Sequence, residues 1–144
     1  MRGVLACGLV LLLACACGGP EPSFEQAARF LRDDGAALSR LSLPGKTTAF
    51  TRETTGCPAG TARSVYRLTG DLPAEPDAHA MATVTAILAS DLHRMGYQEG
   101  DSPQERFGVN VSTMKKESLG IVVTVIVRSG RPNVEVTGTT ACAS

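Results

Sequence analysis

The stretch Leu119-Gly120-Ile121-Val122-Val123-Thr124-Val125-Ile126-Val127-Arg128 carries the strongest strand signal in the chain. Val or Ile stands at 121, 122, 123, 125, 126 and 127, and β-branched side chains pack well on a pleated surface while losing rotamer freedom in a helix. Ser129-Gly130-Arg131-Pro132-Asn133 follows as a turn. Beyond it Val134 and Val136 alternate with Glu135 and Thr137, the period of a strand with one buried face. Upstream, Phe107, Val109 and Val111 alternate with Gly108, Asn110 and Ser112 in the same way. The C-terminal third therefore reads as a three-stranded antiparallel meander.

Working outward from the meander, the polar segment Gln98 to Glu105 reads as a loop and the residues before it change period. Met81, Val84, Leu88, Leu92 and Met95 share one face of a helix, with Ile87 beside them, and Gly96 stops it. Asp71 to Glu75, with Pro73 and Pro76, is a loop. Thr61 to Thr69 reads as a strand through Val65, Tyr66 and Leu68, preceded by the turn Cys57-Pro58-Ala59-Gly60 and the extended Thr-rich stretch Thr47 to Thr54. A first helix starts at Ser23 as N-cap, with Glu25 in the first turn, where a carboxylate meets the positive end of the helix dipole. Its apolar positions are Phe24, Ala27, Ala28, Leu31, Leu38 and Leu41; Gly35 weakens its middle and Pro44-Gly45 ends it. The order α-β-α-β-β-β predicts a single two-layer α+β domain over residues 23–144. In it, two helices pack on one face of a roughly four-stranded antiparallel sheet.

In that architecture Phe107, Val109, Val111, Ile121, Val123, Val125, Val127, Val134 and Val136 are expected to face the helices. The other face would carry Asn110, Ser112, Thr124, Glu135 and Thr137, with Val122 and Ile126 among them and Val65 nearby. Those three apolar residues form a candidate protein-contact strip. The plainer readings are that the extended segment before the first strand covers them, or that they are ordinary isolated surface valines.

The first residues place one cation, Arg2, before about ten apolar residues from Val4 to Leu13, the layout of a secretory signal and too short to span a bilayer. Leu12-Leu13-Ala14-Cys15-Ala16-Cys17-Gly18 then resembles the lipobox of bacterial lipoproteins, in which the thiol is diacylglycerylated and the chain is cut before it. Cys15 has Leu12 three residues upstream, as the lipobox prefers. Cys17 leaves an even pair of later cysteines, Cys57 and Cys142, whereas cleavage before Cys15 leaves Cys17 as a stray thiol. Both remain candidates for lipid attachment. Residues 1–16 read as the signal, and 17–22, rich in Gly and Pro, as a tether. Cys57 precedes the first strand and Cys142 follows the last, so the two can form a disulfide if those strands are neighbours and the compartment is oxidising.

Composition narrows the function classes. Lys and Arg number 14 and so do Asp and Glu; without Arg2 the balance is 13 against 14. A nucleic-acid partner would demand a basic excess to displace phosphate counterions, so none is expected. The apolar fraction of 43% suffices for a core, but aromatics are 4% and Trp is absent, so aliphatic residues must fill it. Ser112-Thr113-Met114-Lys115 matches the Ser-x-x-Lys motif of penicillin-recognising acylases, but on a strand residues three apart point to opposite faces, and the partner motifs are missing. Gly45-Lys46-Thr47 echoes a phosphate-binding loop, yet Arg40 stands where the upstream Gly belongs. His79 and His93 sit fourteen positions apart on one helix, about 20 Å, too far to share a metal. Glu99, Asp101 and Glu105 lack the spacing of a calcium loop. Asn110-Val111-Ser112 is a glycosylation sequon in form alone, since lipobox processing implies a bacterium. No metal or cofactor is implied.

Taken whole, the chain resembles the small lipoproteins of unknown function from high-GC Gram-positive bacteria. The resemblance rests on the Leu12 to Cys17 lipobox, the Cys57 and Cys142 pair, and the terminal hairpin ending Val136-Thr137-Gly138-Thr139-Thr140-Ala141-Cys142. It implies a lipid anchor on the extracytoplasmic face of the cell membrane and brings no activity or catalytic residues. The functional expectation is a non-enzymatic module that binds a protein or cell-envelope component. A carrier of a small apolar ligand, held in a cavity lined by the Met81, Leu88 and Val123 faces, comes second and an enzyme third. Mass spectrometry of native material is expected to find a chain beginning at Cys17 or Cys15 and carrying a diacylglyceryl group; an intact, unacylated Met1 would overturn the lipobox reading.

Overall fold

The computed structural model describes residues 23–100, 104–106 and 108–144. The signal, the tether, both candidate lipid-attachment cysteines, Asp101 and Phe107 lie outside the described residues. Helix α1 spans Phe24–Leu38, and the Ser23 hydroxyl accepts from the Gln26 backbone N–H at 3.2 Å, the cap that the sequence predicts. Strands β1 (Thr47–Glu53) and β2 (Arg63–Gly70) follow, then helix α2 (Ala78–Arg94), whose N-cap Asp77 accepts from the Ala80 N–H at 2.7 Å. The short strands β3 (Gln98–Glu99) and β4 (Gln104–Arg106) lead to β5 (Val109–Lys116), a 3-10 turn (Glu117–Leu119), β6 (Ile121–Arg128) and β7 (Val134–Thr139).

All pairings are antiparallel, in the order β1-β2-β7-β6-β5-β3, with β4 also pairing with β5. Because β3 and β4 run along successive parts of β5, they make one broken edge. The sheet is therefore six positions wide, against the four expected. The Thr-rich stretch extends it at one edge as β1, and part of the predicted polar loop 98–105 extends it at the other. Neither extension has the apolar alternation that signals a strand, and β1 and β3 are largely exposed. The last strand, β7, sits between β2 and β6 at the centre. It places Cys57 and Cys142 side by side, with a disulfide between them and their Cα atoms 5.6 Å apart. A backbone bridge between Ala62 and Ala143 continues the same line.

Both helices cover one face. The register lines up Phe50, Tyr66, Gly138, Val123 and Met114 in one cross-strand row beneath them, and Thr48, Leu68, Val136, Val125 and Ser112 in the next. Leu68, Val136, Val125 and Met114 are completely buried. Helix α1 runs unusually close to the sheet. A Cβ at Gly35 would meet the Tyr66 ring at 2.6 Å, and one at Gly138 would meet Leu31 Cδ1 at 2.6 Å. The two glycines thus face each other's bulky partners: Leu31 of the helix drops over Gly138 of the sheet, and Tyr66 of the sheet rises under Gly35 of the helix. The Ser39 hydroxyl and the Tyr66 phenol, 2.9 Å apart, close the same contact. Arg32 stacks over Phe50 at 4.7 Å and Arg52 over Phe24 at 4.6 Å, holding edge strand β1 against α1.

The expected faces of β5 are reversed. Val111 lies opposite Ile126 and Val109 opposite Arg128, on the face away from the helices, while Ser112 and Met114 take the inner positions opposite Val125 and Val123. The alternation between 107 and 112 fixes the period, and the pairing with β6 fixes the phase. Met114, at the end of the predicted strand, takes the inner slot and is fully buried. Helix α1 also ends earlier, at Leu38 rather than beyond Leu41, and Lys46 Nζ donates to the carbonyls of Ser39 and Leu41 at 2.6 and 2.8 Å.

Two substitutions probe these constraints. Gly35→Ala removes a poor helix former, worth about 1 kcal/mol in an open helix, yet is expected to destabilise the domain by about 1–3 kcal/mol because its methyl overpacks Tyr66. Denaturant unfolding reads the sign. Replacing Cys57 and Cys142 by Ser opens a loop with a sequence separation of 85 and is expected to cost about 4–5 kcal/mol on the chain-entropy relation.

Candidate functional site

The outer sheet face is the surface on which the contact-strip residues lie, and the register orders it into rows. One row runs Thr51, Val65, Thr139, Val122, Lys115; the next runs Ala49, Arg67, Thr137, Thr124, Thr113; a third runs Thr47, Thr69, Glu135, Ile126, Val111. Val122 and Ile126 are both half-buried and stand two rows apart, with the threonine row between them. Ile126 has Val111 directly beside it, and half-buried Val109 lies beyond.

Val65 is different: it is 1% exposed and offers no contact surface. Arg63 and Arg67 flank it on the same face, and Glu53 lies 3.1 Å from the Arg67 guanidinium and 4.0 Å from that of Arg63. This ionic arch crosses Val65 from the β1 side. The accessible apolar residues are therefore Val109, Val111 and Ile126, grouped towards β5, with Val122 apart beyond the threonine row. At the top of β6 and β7 the group is rimmed by the Arg128–Glu135 ion pair. Sequence reasoning missed Val109 and Val111 because it placed them in the core; the signal that could have found them is Met114, whose size and apolarity claim the inner phase.

A second arrangement lies on the helix side and has no sequence signature. Asp34 of α1, Tyr97 after α2 and Lys116 at the end of β5 converge: the Tyr97 hydroxyl and Lys116 Nζ each donate to Asp34 Oδ2 at 2.8 Å. Lys116 Nζ also sits 4.5 Å from the centre of the Tyr97 ring. Tyr97 is fully buried, and the Lys116 and Asp34 side chains are 11% and 15% exposed. Burial first, then the Asp34 charge and its hydrogen bond, push the Tyr97 phenol far above the ordinary tyrosine range. A phenol held neutral in this way donates a hydrogen bond but is no base or nucleophile near neutral pH. The cluster's chemistry is that of a tie between both helices and the sheet.

The remaining sequence candidates fall apart spatially. Ser112 and Lys115 lie on opposite faces of β5, Ser112 buried under the helices. Lys46 caps the end of α1, as described, and holds no phosphate loop. His79 and His93 stand at opposite ends of α2, and His93 Nδ1 is 3.0 Å from the Tyr97 carbonyl. Among the described residues no three His, Cys, Asp or Glu side chains group as metal ligands. Met81, Leu88 and Val123, the expected cavity walls, belong to one continuous buried cluster. The apolar recess nearest to them, about 190 Å³, opens at the surface between Leu41, Leu43, Leu72, Val84, Ile87 and Val134.

Both tyrosines of the chain are held neutral: burial raises Tyr66 as well, against the opposing hydrogen bond with Ser39. The native state therefore binds more protons than the unfolded chain above the ordinary tyrosine pKa of about 10, and stability falls as pH rises beyond that value while staying independent of these groups below it. In an alkaline titration, phenolate absorbance is expected to rise in one cooperative step together with loss of structure. Tyrosines ionising near pH 10 in the still-folded domain would contradict the burial.

No known protein family matches the chain, and neither a curated protein nor a solved structure is similar to it.

Proposed function

We propose that this protein is a lipid-anchored module on the extracytoplasmic face of the cell membrane that binds a protein or cell-envelope component through its uncovered sheet face. The observation that carries the binding reading is that face itself. It bears Val109, Val111, Val122 and Ile126 among threonines and paired charges, with both helices packed on the opposite side. An apolar strip of modest area inside a polar rim is the composition of a contact surface. Threonine hydroxyls around it supply hydrogen-bond donors and acceptors, so the face suits a partner that is itself partly polar.

The Cys57–Cys142 bond supports an oxidising address, since disulfides persist outside the cytoplasm. The apolar run from Val4 to Leu13 and the lipobox-like residues before Cys15 and Cys17 support export and acylation. A second reading, carriage of a small apolar ligand, draws on the recess beside Ile87. At about 190 Å³ it is smaller than the roughly 300 Å³ at which ligand pockets begin, which limits its cargo to a short aliphatic group.

The test compares affinity capture from envelope extracts by the soluble domain from Glu21 onward with capture by its Val122→Asp and Ile126→Asp variants. Both positions are half-buried on the open face, so a carboxylate there can reach solvent. Each variant is expected to lose the captured component while still folding, at a stability cost of about 1 kcal/mol for Asp in a strand. Equal capture by all three removes the contact face.

A further inference from the structure

We propose that the end of the domain where α1 begins seats directly on the lipid surface, with Phe30 and Leu119 entering the headgroup region. The inference rests on the lipid-anchor reading and adds an orientation to it. Cys17 lies six residues before Ser23, and Cys15 eight. At no more than about 3.6 Å per residue, the start of α1 cannot stand further than about 20–30 Å from the acylated thiol. The domain is thus confined to within that distance of the membrane, close enough for its lower end to meet lipid.

That end is built accordingly. Phe30 is 42% exposed, one of two large apolar side chains in the open among the described residues. It lies beside Met95 and Leu119, both half-exposed, around a shallow recess that also includes Gln26 and Ser118. An adjoining hollow of about 430 Å³ runs between Phe24 and Ala27 of α1 and the C-terminal residues Ala141 to Ala143. Cations stand over the two phenylalanine rings: Arg52 over Phe24 at 4.6 Å and Lys116 near Phe30 at 5.7 Å. An aromatic body with a cation above it suits the boundary between acyl chains and headgroups. Lys116 is already paired with Asp34, and Glu25 and Glu117 add negative charge at the same end, so the attraction is apolar and zwitterionic lipid suffices.

The strands run from this end to the far one, where β6 passes into the Ser129–Asn133 turn. Eight residues of β6 at about 3.3 Å each put that far end about 25 Å away. The open sheet face would then look sideways along the membrane, within reach of a neighbouring membrane protein.

The chain contains no Trp, so a single introduced indole reports its own surroundings. The full lipidated chain carrying Phe30→Trp, Leu119→Trp or Ile87→Trp is reconstituted into phosphatidylcholine vesicles with and without brominated acyl chains. Flotation measures anchoring independently of seating. Seated about 5–10 Å into the interface, the indoles of the Phe30→Trp and Leu119→Trp chains are expected to be quenched about twofold and blue-shifted. The indole of the Ile87→Trp chain is expected to match the free domain in water. A chain that does not float overturns the anchor and the seat together. Chains that float with the indoles at both seating positions unquenched overturn the seat alone. A Phe30→Trp chain that is blue-shifted only at high protein-to-lipid ratio and untouched by bromine would place a second copy there, and also overturns the seat. Having two reporters keeps the result decisive if one variant fails to fold.

Discussion

The close approach of α1 to the sheet is the contact on which the rest of the structure depends. Leu31 over Gly138 and Tyr66 under Gly35 bring helix and sheet together at two points, and each point works only because one partner has no side chain. The two contacts lie on β7 and β2, the neighbouring central strands. One helix from the start of the chain therefore clamps a strand from its end onto a strand from its middle. The disulfide between Cys57 and Cys142 pins the same pair of strands just beyond the clamp. Interiors pack at crystal-like density, so a methyl added at Gly35 meets three atoms of the rigid Tyr66 ring within 3 Å, whereas one added at Gly138 meets the tip of Leu31, which must turn aside.

The second tie is polar. Asp34, Tyr97 and Lys116 join α1, the exit of α2 and the end of β5 through two hydrogen bonds to one carboxylate oxygen. Burial of an ammonium and a carboxylate is costly unless each is paired and hydrogen-bonded, and here the phenol supplies the additional donor. The ring of the same phenol lies against the ammonium. Helix α2, which covers β5 and β6, is thereby held in fixed relation to α1, which covers β2 and β7. With both helices committed to one face, no helix among the described residues covers the opposite face. This asymmetry is the physical basis of the binding reading.

The same asymmetry distributes the exposed apolar residues. Those on the open face, Val109, Val111, Val122 and Ile126, arise because β6 carries Val or Ile on both sides while β5 turns its valines outward to bury Met114, and the helices cover one side. Those at the lower end, Phe30 and Leu119, meet around one shallow recess, Phe30 from the middle of α1 and Leu119 where the chain turns from β5 into β6. The two sets belong to different surfaces, one lateral and one terminal. An anchored domain can therefore meet lipid with one and a partner with the other.

Much of this was legible in the sequence. The cap at Ser23, the stop at Gly96, the turn at Ser129–Asn133 and the helix–sheet layering all follow from local chemistry and period, which need no knowledge of neighbours. The pairing of Cys57 with Cys142 followed from their places at the ends of two strands, once those strands were taken as adjacent. Tertiary structure alone decided the rest. Alternation in β5 shows that one face is buried but not which, and pairing with β6 chose the face that hides Met114 and exposes Val111. Edge strands β1 and β3 carry no apolar alternation because they cover little, so they become strands only through the backbone partners the sheet offers. Gly35 looks like a flaw in a helix until Tyr66 is beneath it. Tyr97 and Lys116 stand 63 and 82 residues from Asp34, and no local pattern links residues that meet only after the chain has folded.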